Sequence, residues 1–241
     1  LESRGLGDVY KRQNTCYVER MQEAFVHFQQ NKKTDFLNEW SHIIFHLPYA
    51  FHGRRMIFNN WLNWIKNDIT YKDLLAEIGQ ENDELFIKKA YKSNIYKNFI
   101  ASKIAPGEKA SSHIGNMYSA SVFMSLLSML NYHFDNNTEI KNQKVGFISY
   151  GSGSKAKIFQ GEIEANWKEK IKTSKLFESL NKRKEISFDE YQDLHKSKKI
   201  SPLSNHSIRF SHTDDSTNSK GYRRYKILSL IHISEPTRLQ Q

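Results

Sequence analysis

Apolar positions 17, 18, 21, 24, 25 and 28 recur at helical spacing, so the pattern predicts an amphipathic helix over Tyr17 to Phe28. A short apolar run, Ser41 to Phe45, is too brief for a helix and is predicted as a buried strand. It ends in His46-Leu47-Pro48, where Pro48 holds Leu47 extended and turns the chain out of the strand. Helices are predicted over Tyr49 to Ile65, Thr70 to Ile78 and Asp83 to Ile104, the last capped by Asp83. Pro106-Gly107 reads as a break, Ser111 to Ile114 as a short strand, and Met117 to Tyr132 as a well-buried helix. Lys144 to Ser149 is a core strand, Gly151-Ser152-Gly153 a turn and Lys155 to Ile163 a second strand, which together make a hairpin. Residues 166–199 are helical and charged, and the tail 205–227 alternates around Ile208 and Phe210. Buried strands feeding helices imply an α/β fold in layers.

The two ends change how much of the chain enters this reading. Ser3 to Gln13 reads SRGLGDVYKRQ and Leu228 to Arg238 reads LSLIHISEPTR. Codons can be chosen so that the DNA for one stretch is the reverse complement of the DNA for the other, along its whole length. That relation resembles a sequencing adapter read in both directions. Residues 1–13 and 228–241 are therefore expected to be adapter-derived and non-biological, with the domain at 14–227, and no strand is expected over Leu228 to Ile233.

The net charge of the chain is +10, and the two ends account for +1 of it. Much of the excess lies between Lys168 and Lys199 among glutamates, a pattern of solvated helix faces rather than of a nucleic-acid stripe. No apolar run approaches the ~20 residues of a membrane span. The single cysteine, Cys16, excludes a disulfide within the chain and a cysteine-based zinc cluster, and it fits a reducing, cytoplasmic setting.

Three segments place polar groups at strand or helix ends. In Phe45-His46-Leu47-Pro48-Tyr49, an imidazole fixed after a buried strand can move a proton or hydrogen-bond a carbonyl where charge develops. In Gly115-Asn116-Met117-Tyr118-Ser119, Asn116 is either a helix cap or an amide that faces a substrate carbonyl. In Ser149-Tyr150-Gly151-Ser152-Gly153, the turn either closes a hairpin or presents N–H groups to an oxyanion. Each segment alone also fits a purely structural role.

Taken in order and spacing, the three resemble segments of the hydroxymethylglutaryl-CoA synthase family: its histidine segment, its Gly-Asn-Met-Tyr-Thr segment and its strand-loop beside the acyl group. The resemblance implies the second half of a layered, thiolase-like αβαβα fold. It implies a condensation of acetyl-CoA with acetoacetyl-CoA in the mevalonate route to isoprenoids. His46 would anchor the acetoacetyl thioester and Asn116 would bond the acetoacetyl group. Tyr118, Ser149, Tyr150, Gly151 and Ser152 would line the acyl pocket, and Arg54 or Arg55 would meet CoA phosphate. No metal and no resident cofactor are implied, nor any nucleic-acid or membrane partner; a homodimer is expected at full length. The family's nucleophilic cysteine and its glutamate lie upstream of the histidine segment, so this chain alone is expected to be inactive. Cys16 does not occupy the nucleophile's place and is expected to be a buried or half-buried inert thiol. Phe51 stands where the family usually has a CoA-contacting lysine, and Arg55 matches the next basic position. Two alternatives stand beside this reading: another thiolase-fold condensing enzyme of ketoacyl synthase type, and a basic nucleic-acid-binding module.

Overall fold

The computed structural model describes residues 6–81, 85–151, 153–196, 209–214 and 224–228, with side chains described between Thr15 and Lys196. It divides into two units, 1–183 and 184–241. The first opens with α1 (Leu6–Lys32), whose Tyr17, Met21, Phe25 and Phe28 form the buried stripe that the spacing predicts. Then follow β1 (Trp40–Phe45), α2 (His52–Met56), α3 (Phe58–Ile65), α4 (Ile69–Ile78), α5 (Phe86–Lys92), α6 (Asn94–Lys103), α7 (Ala105–Ile114) and α8 (Ala120–Asp135). The hairpin β2 (Lys144–Gly151) and β3 (Lys155–Glu162) comes next, with α9 (Trp167–Ile171) and α10 (Leu176–Asn181) closing the unit.

The sheet runs β1-β2-β3, with β1 parallel to β2 and β2 antiparallel to β3. Side chains of β1 alternate between two cores, as a strand covered on both faces requires. Trp40, Ile43 and Phe45 pack with α1, Phe36 and Trp61, whereas Ile44 packs with Val122, Met129, Val145 and Trp167. Helix therefore covers both faces of the sheet, the layered α/β arrangement expected from the sequence. Gly146 has a packing reason: a Cβ there would stand 2.1 Å from the Trp40 ring, which is wholly buried.

Four expectations need correction. The helix expected from Tyr49 starts at His52 and breaks at Ile57, making α2 and α3. The helix expected over 83–104 is two helices that meet at Ser93, whose hydroxyl accepts the Tyr96 N–H at 3.1 Å and donates to the Ala90 carbonyl at 2.7 Å. Asp83 lies outside the described residues, and Leu85 occupies the cap of α5. Pro106-Gly107 starts α7 rather than breaking a helix, because proline in a first turn gives up an N–H that would be unbonded anyway. Ser111 to Ile114, expected as a strand, is the end of α7. Ser128 of α8 stitches that helix down: its hydroxyl donates to the Pro106 carbonyl (2.7 Å) and accepts from the Ala110 N–H (3.0 Å). The charged segment expected to be helical holds, over its described residues 166–196, a series of short helices.

α8 is tied to β1 by polar contacts along its length. Ser121 accepts the Leu47 N–H, Ser125 donates to the Phe45 carbonyl, and His133 meets His42 with Nε2···Nε2 at 2.8 Å. The proton order at the last contact follows from its neighbours. Ser41 spends its one proton on the Lys144 carbonyl, so His42 Nδ1 must donate to Ser41 Oγ. His42 Nε2 then accepts from His133 Nε2–H, which leaves His133 Nδ1 buried without a partner.

The second unit contains α11 (Phe188–His195), started by a Ser187/Glu190 capping box, and an antiparallel pair, β4 (Arg209–Asp214) and β5 (Arg224–Leu228). Phe210 lies in β4, while Ile208 falls outside the described residues. Of the two ends, the backbone of residues 6–13 continues α1 and Leu228 ends β5; residues 1–5 and 229–241 lie outside the described residues.

Candidate active site

Because β1 and β2 are parallel and in register at Phe45↔Ile148, their C-terminal ends lie side by side. The His46 N–H bonds the Ile148 carbonyl at 2.8 Å, which sets His46 next to Ser149 and Tyr150. The next residue turns the chain toward the first turn of α8, where buried Ser121 takes the Leu47 N–H at 3.0 Å. The same hydroxyl lies 3.0 Å from His46 Nδ1. The ring is half-buried, and burial lowers its pKa against the opposing pull of the Tyr118 carbonyl. A neutral imidazole at pH 7 results, suited to giving or taking one hydrogen bond without bringing a full charge.

Behind His46 stands an aromatic wall. The Tyr17 hydroxyl donates to the His46 carbonyl at 3.4 Å, and its ring packs on Tyr150 at 4.4 Å between centroids. Tyr17 also meets His52 at 4.6 Å, and Tyr49 closes on the other side of His52 at 4.5 Å. His52 is 1% exposed, and neither ring nitrogen has a hydrogen-bond partner. Burial first, then His46 and Arg55, bring its pKa down to about 4.

The loop before α8 carries Asn116. Gly115 at φ +89° and Tyr118 at φ 49° fold it tightly, and Asn116 Oδ1 accepts the Tyr118 N–H at 2.8 Å. Asn116 thus closes a turn one step ahead of the helix rather than capping it; Ser119 is the cap residue and makes no side-chain cap bond. Asn116 is exposed, and its NH2 group carries its remaining donors. The Tyr118 side chain is 75% exposed, and its main-chain carbonyl faces His46.

At the end of β2, Ser149 and Tyr150 are half-buried beside His46, Gly151 is exposed, and Ser152 lies outside the described residues. Burial raises the Tyr150 pKa, with Cys16 adding to it. Cys16 is half-buried on α1, and its sulfur lies 2.6 Å from Ser154 Oγ.

The two arginines separate. Arg54 is committed inward: its Nε and Nη2 both reach Oε2 of Glu108 (2.9 and 2.5 Å), and its main-chain N–H reaches Oε1 at 3.4 Å. The Glu108 side chain is 2% exposed, so its carboxylate needs that partner. Arg54 also lies over the Phe51 ring at 4.4 Å. Arg54 is thus paired with Glu108, whereas Arg55 is exposed. Among the described residues, no group of three or more His, Cys, Asp or Glu could hold a metal ion, and no helix is long and apolar enough to cross a membrane.

The structure thus brings together His46, the Asn116 loop, Ser149 and Tyr150, and adds Tyr17, His52 and Ser121, none of which the sequence reading named as site residues. Tyr17 was visible only as a core position and Ser121 only as a small residue at a helix start. Nothing in the local pattern separates His52 from a structural histidine.

The C-terminal domain model of hydroxymethylglutaryl-coenzyme A synthase matches residues 10–222. The chain belongs to this family. The hydroxymethylglutaryl-CoA synthase of Haloferax volcanii is 25% identical over 199 residues, 77% of this chain and 45% of that protein. Synthase A of Dictyostelium discoideum is 30% identical over 159 residues, 63% of this chain and 31% of that protein. The chain therefore spans less than half the length of these relatives. Among solved structures, MvaS in complex with 3-hydroxy-3-methylglutaryl coenzyme A superposes with a TM-score of 0.61 at 21% identity, covering 90% of this chain and 50% of that one. PksG, a synthase from Bacillus subtilis, superposes at 0.58 with 15% identity, again over 90% and 50%. These likenesses establish the thiolase-like fold that hydroxymethylglutaryl-CoA synthases share.

Proposed function

We propose that this chain is the C-terminal half of a synthase that condenses acetyl-CoA with acetoacetyl-CoA to give hydroxymethylglutaryl-CoA and free CoA. The observation that carries the reading is His46: a neutral imidazole fixed at the end of β1, beside the Asn116 loop and the Ser149-Tyr150 strand end, in a chain of this family. In the reaction, a cysteine of the other half takes the acetyl group from acetyl-CoA and frees CoA. A glutamate of that half removes a methyl proton, and the resulting carbanion attacks the ketone carbon of acetoacetyl-CoA, whose oxygen takes that proton back. His46 holds the acetoacetyl thioester by a hydrogen bond to its carbonyl, and Asn116 offers its NH2 to the same acyl group. Ser149 and Tyr150 bound the acyl pocket with Gly151 and Ser152, and Arg55 meets a CoA phosphate. Water then cleaves the bond to the cysteine and releases the product. Half of this machinery lies outside the chain, so the chain alone carries no turnover.

The same reading gives a cytoplasmic enzyme of the mevalonate route, homodimeric at full length, with acyl-CoA partners, no resident cofactor or metal, and no nucleic-acid or membrane partner. The test uses the full-length parent protein with His46→Ala. Condensation, followed as loss of acetoacetyl-CoA, is expected to fall by roughly a hundredfold to a thousandfold, the usual cost of one such hydrogen bond. Acetyl-enzyme formation, followed by intact mass, is expected to persist. Equal loss of both steps together with a lowered melting point would make His46 a core residue and remove the assignment.

A further inference from the structure

Ser121 is wholly buried, and its oxygen has two hydrogen-bond partners: the Leu47 main-chain N–H and His46 Nδ1, each at 3.0 Å. The first can only donate, so it takes one lone pair of the hydroxyl. If Nδ1 carried a proton and also donated, both lone pairs would be filled, and the hydroxyl proton would have no acceptor at a site closed to water. A buried donor without an acceptor is what folded proteins avoid. The arrangement that satisfies every group has the hydroxyl giving its proton to an unprotonated Nδ1.

We propose that Ser121 is a positioning residue for His46: held by the Leu47 N–H, its hydroxyl donates to Nδ1 and so keeps the ring proton on Nε2. The elements around it agree. The Tyr17 hydroxyl is spent on the His46 main-chain carbonyl and does not compete for the ring. The Tyr118 carbonyl pulls toward a protonated ring, but burial outweighs it and His46 stays neutral. A neutral imidazole can donate to a thioester carbonyl only from the nitrogen that bears hydrogen. Ser121 therefore decides which nitrogen that is, and it does so from α8, whose first turn also carries the Asn116 loop. What Nε2–H is for rests on the acyl-condensation reading above; where the proton sits does not.

The experiment is nitrogen-15 imidazole NMR on this chain, followed through a pH titration, in the parent sequence and in Ser121→Ala. In the parent sequence the two His46 nitrogens are expected to report a single tautomer with hydrogen on Nε2. In Ser121→Ala the ring is expected to become a mixture of tautomers, and its titration midpoint to rise by about one pH unit, since a donor that favours the neutral form is gone. The tautomer in the parent sequence tests the proposal even if the variant folds poorly. Hydrogen on Nδ1 in the parent sequence, or the same tautomer and midpoint in folded Ser121→Ala, would overturn it. A parent-protein His46→Ala that loses condensation while NMR places the proton on Nδ1 would keep the reaction and remove the role given to Ser121.

Discussion

Acidification should loosen α8 from β1 through the buried His42–His133 pair. His42 is 5% exposed; burial first, then His133 and Lys103, bring its pKa down from 6.5 to about 3. His133, 8% exposed, is lowered in the same direction by burial. A histidine whose folded pKa lies below its unfolded value contributes stability that is fully present above the unfolded pKa and is lost as pH falls toward the folded one. The unfolded chain takes up the proton first, at about pH 6.5. Between pH 7 and pH 5, His42 alone should therefore cost about 2 kcal/mol, and His133 adds to this. The window is chosen because carboxylates titrate near pH 4, and Glu39, Asp68, Glu139 and Glu178 all lie below their ordinary values. The effects of these four carboxylates thus enter at lower pH; Glu108, raised by burial, is present in both proteins compared below and cancels.

The assay is urea unfolding at half-unit steps from pH 7 to pH 5, for the parent chain and for His42→Phe with His133→Leu. Replacing both partners by apolar groups of similar size leaves no orphaned nitrogen, so the double variant should fold. It should lose at least about 2 kcal/mol less than the parent across the window. His52, also depressed, is present in both proteins and cancels. Parallel stability profiles for the two proteins would refute the reasoning.

Two further outcomes follow from the packing. Arg54→Ala strands the Glu108 carboxylate, whose side chain is 2% exposed, and should cost roughly 3 kcal/mol in urea unfolding; adding Glu108→Gln should recover part of it. Gly146→Ala drives a methyl into the Trp40 ring and should cost about 1–3 kcal/mol, with a shift in tryptophan fluorescence as the ring gives way; an unchanged spectrum and midpoint would contradict that contact.

The periodicity of apolar positions was enough to find α1 and its buried face, the strand before His46 and the β2–β3 hairpin, because each is decided by contacts a few residues apart. The motif residues around His46, Asn116 and Ser149 were likewise visible as segments, and their order carried the family. Where local pattern failed, a distant partner had intervened. Ser111 to Ile114 is helical in part because Ser128 holds the start of that helix, and Arg54 turns inward because Glu108, 54 residues on, needs a counter-charge. His46 meets Ser121 across 75 residues, and His42 meets His133 across 91. A side chain's hydrogen-bond partner depends on which elements the layers bring face to face. Spacing along the chain can say that Ser121 is small and lies at a helix start, but only the docking of α8 on β1 puts its hydroxyl on the imidazole.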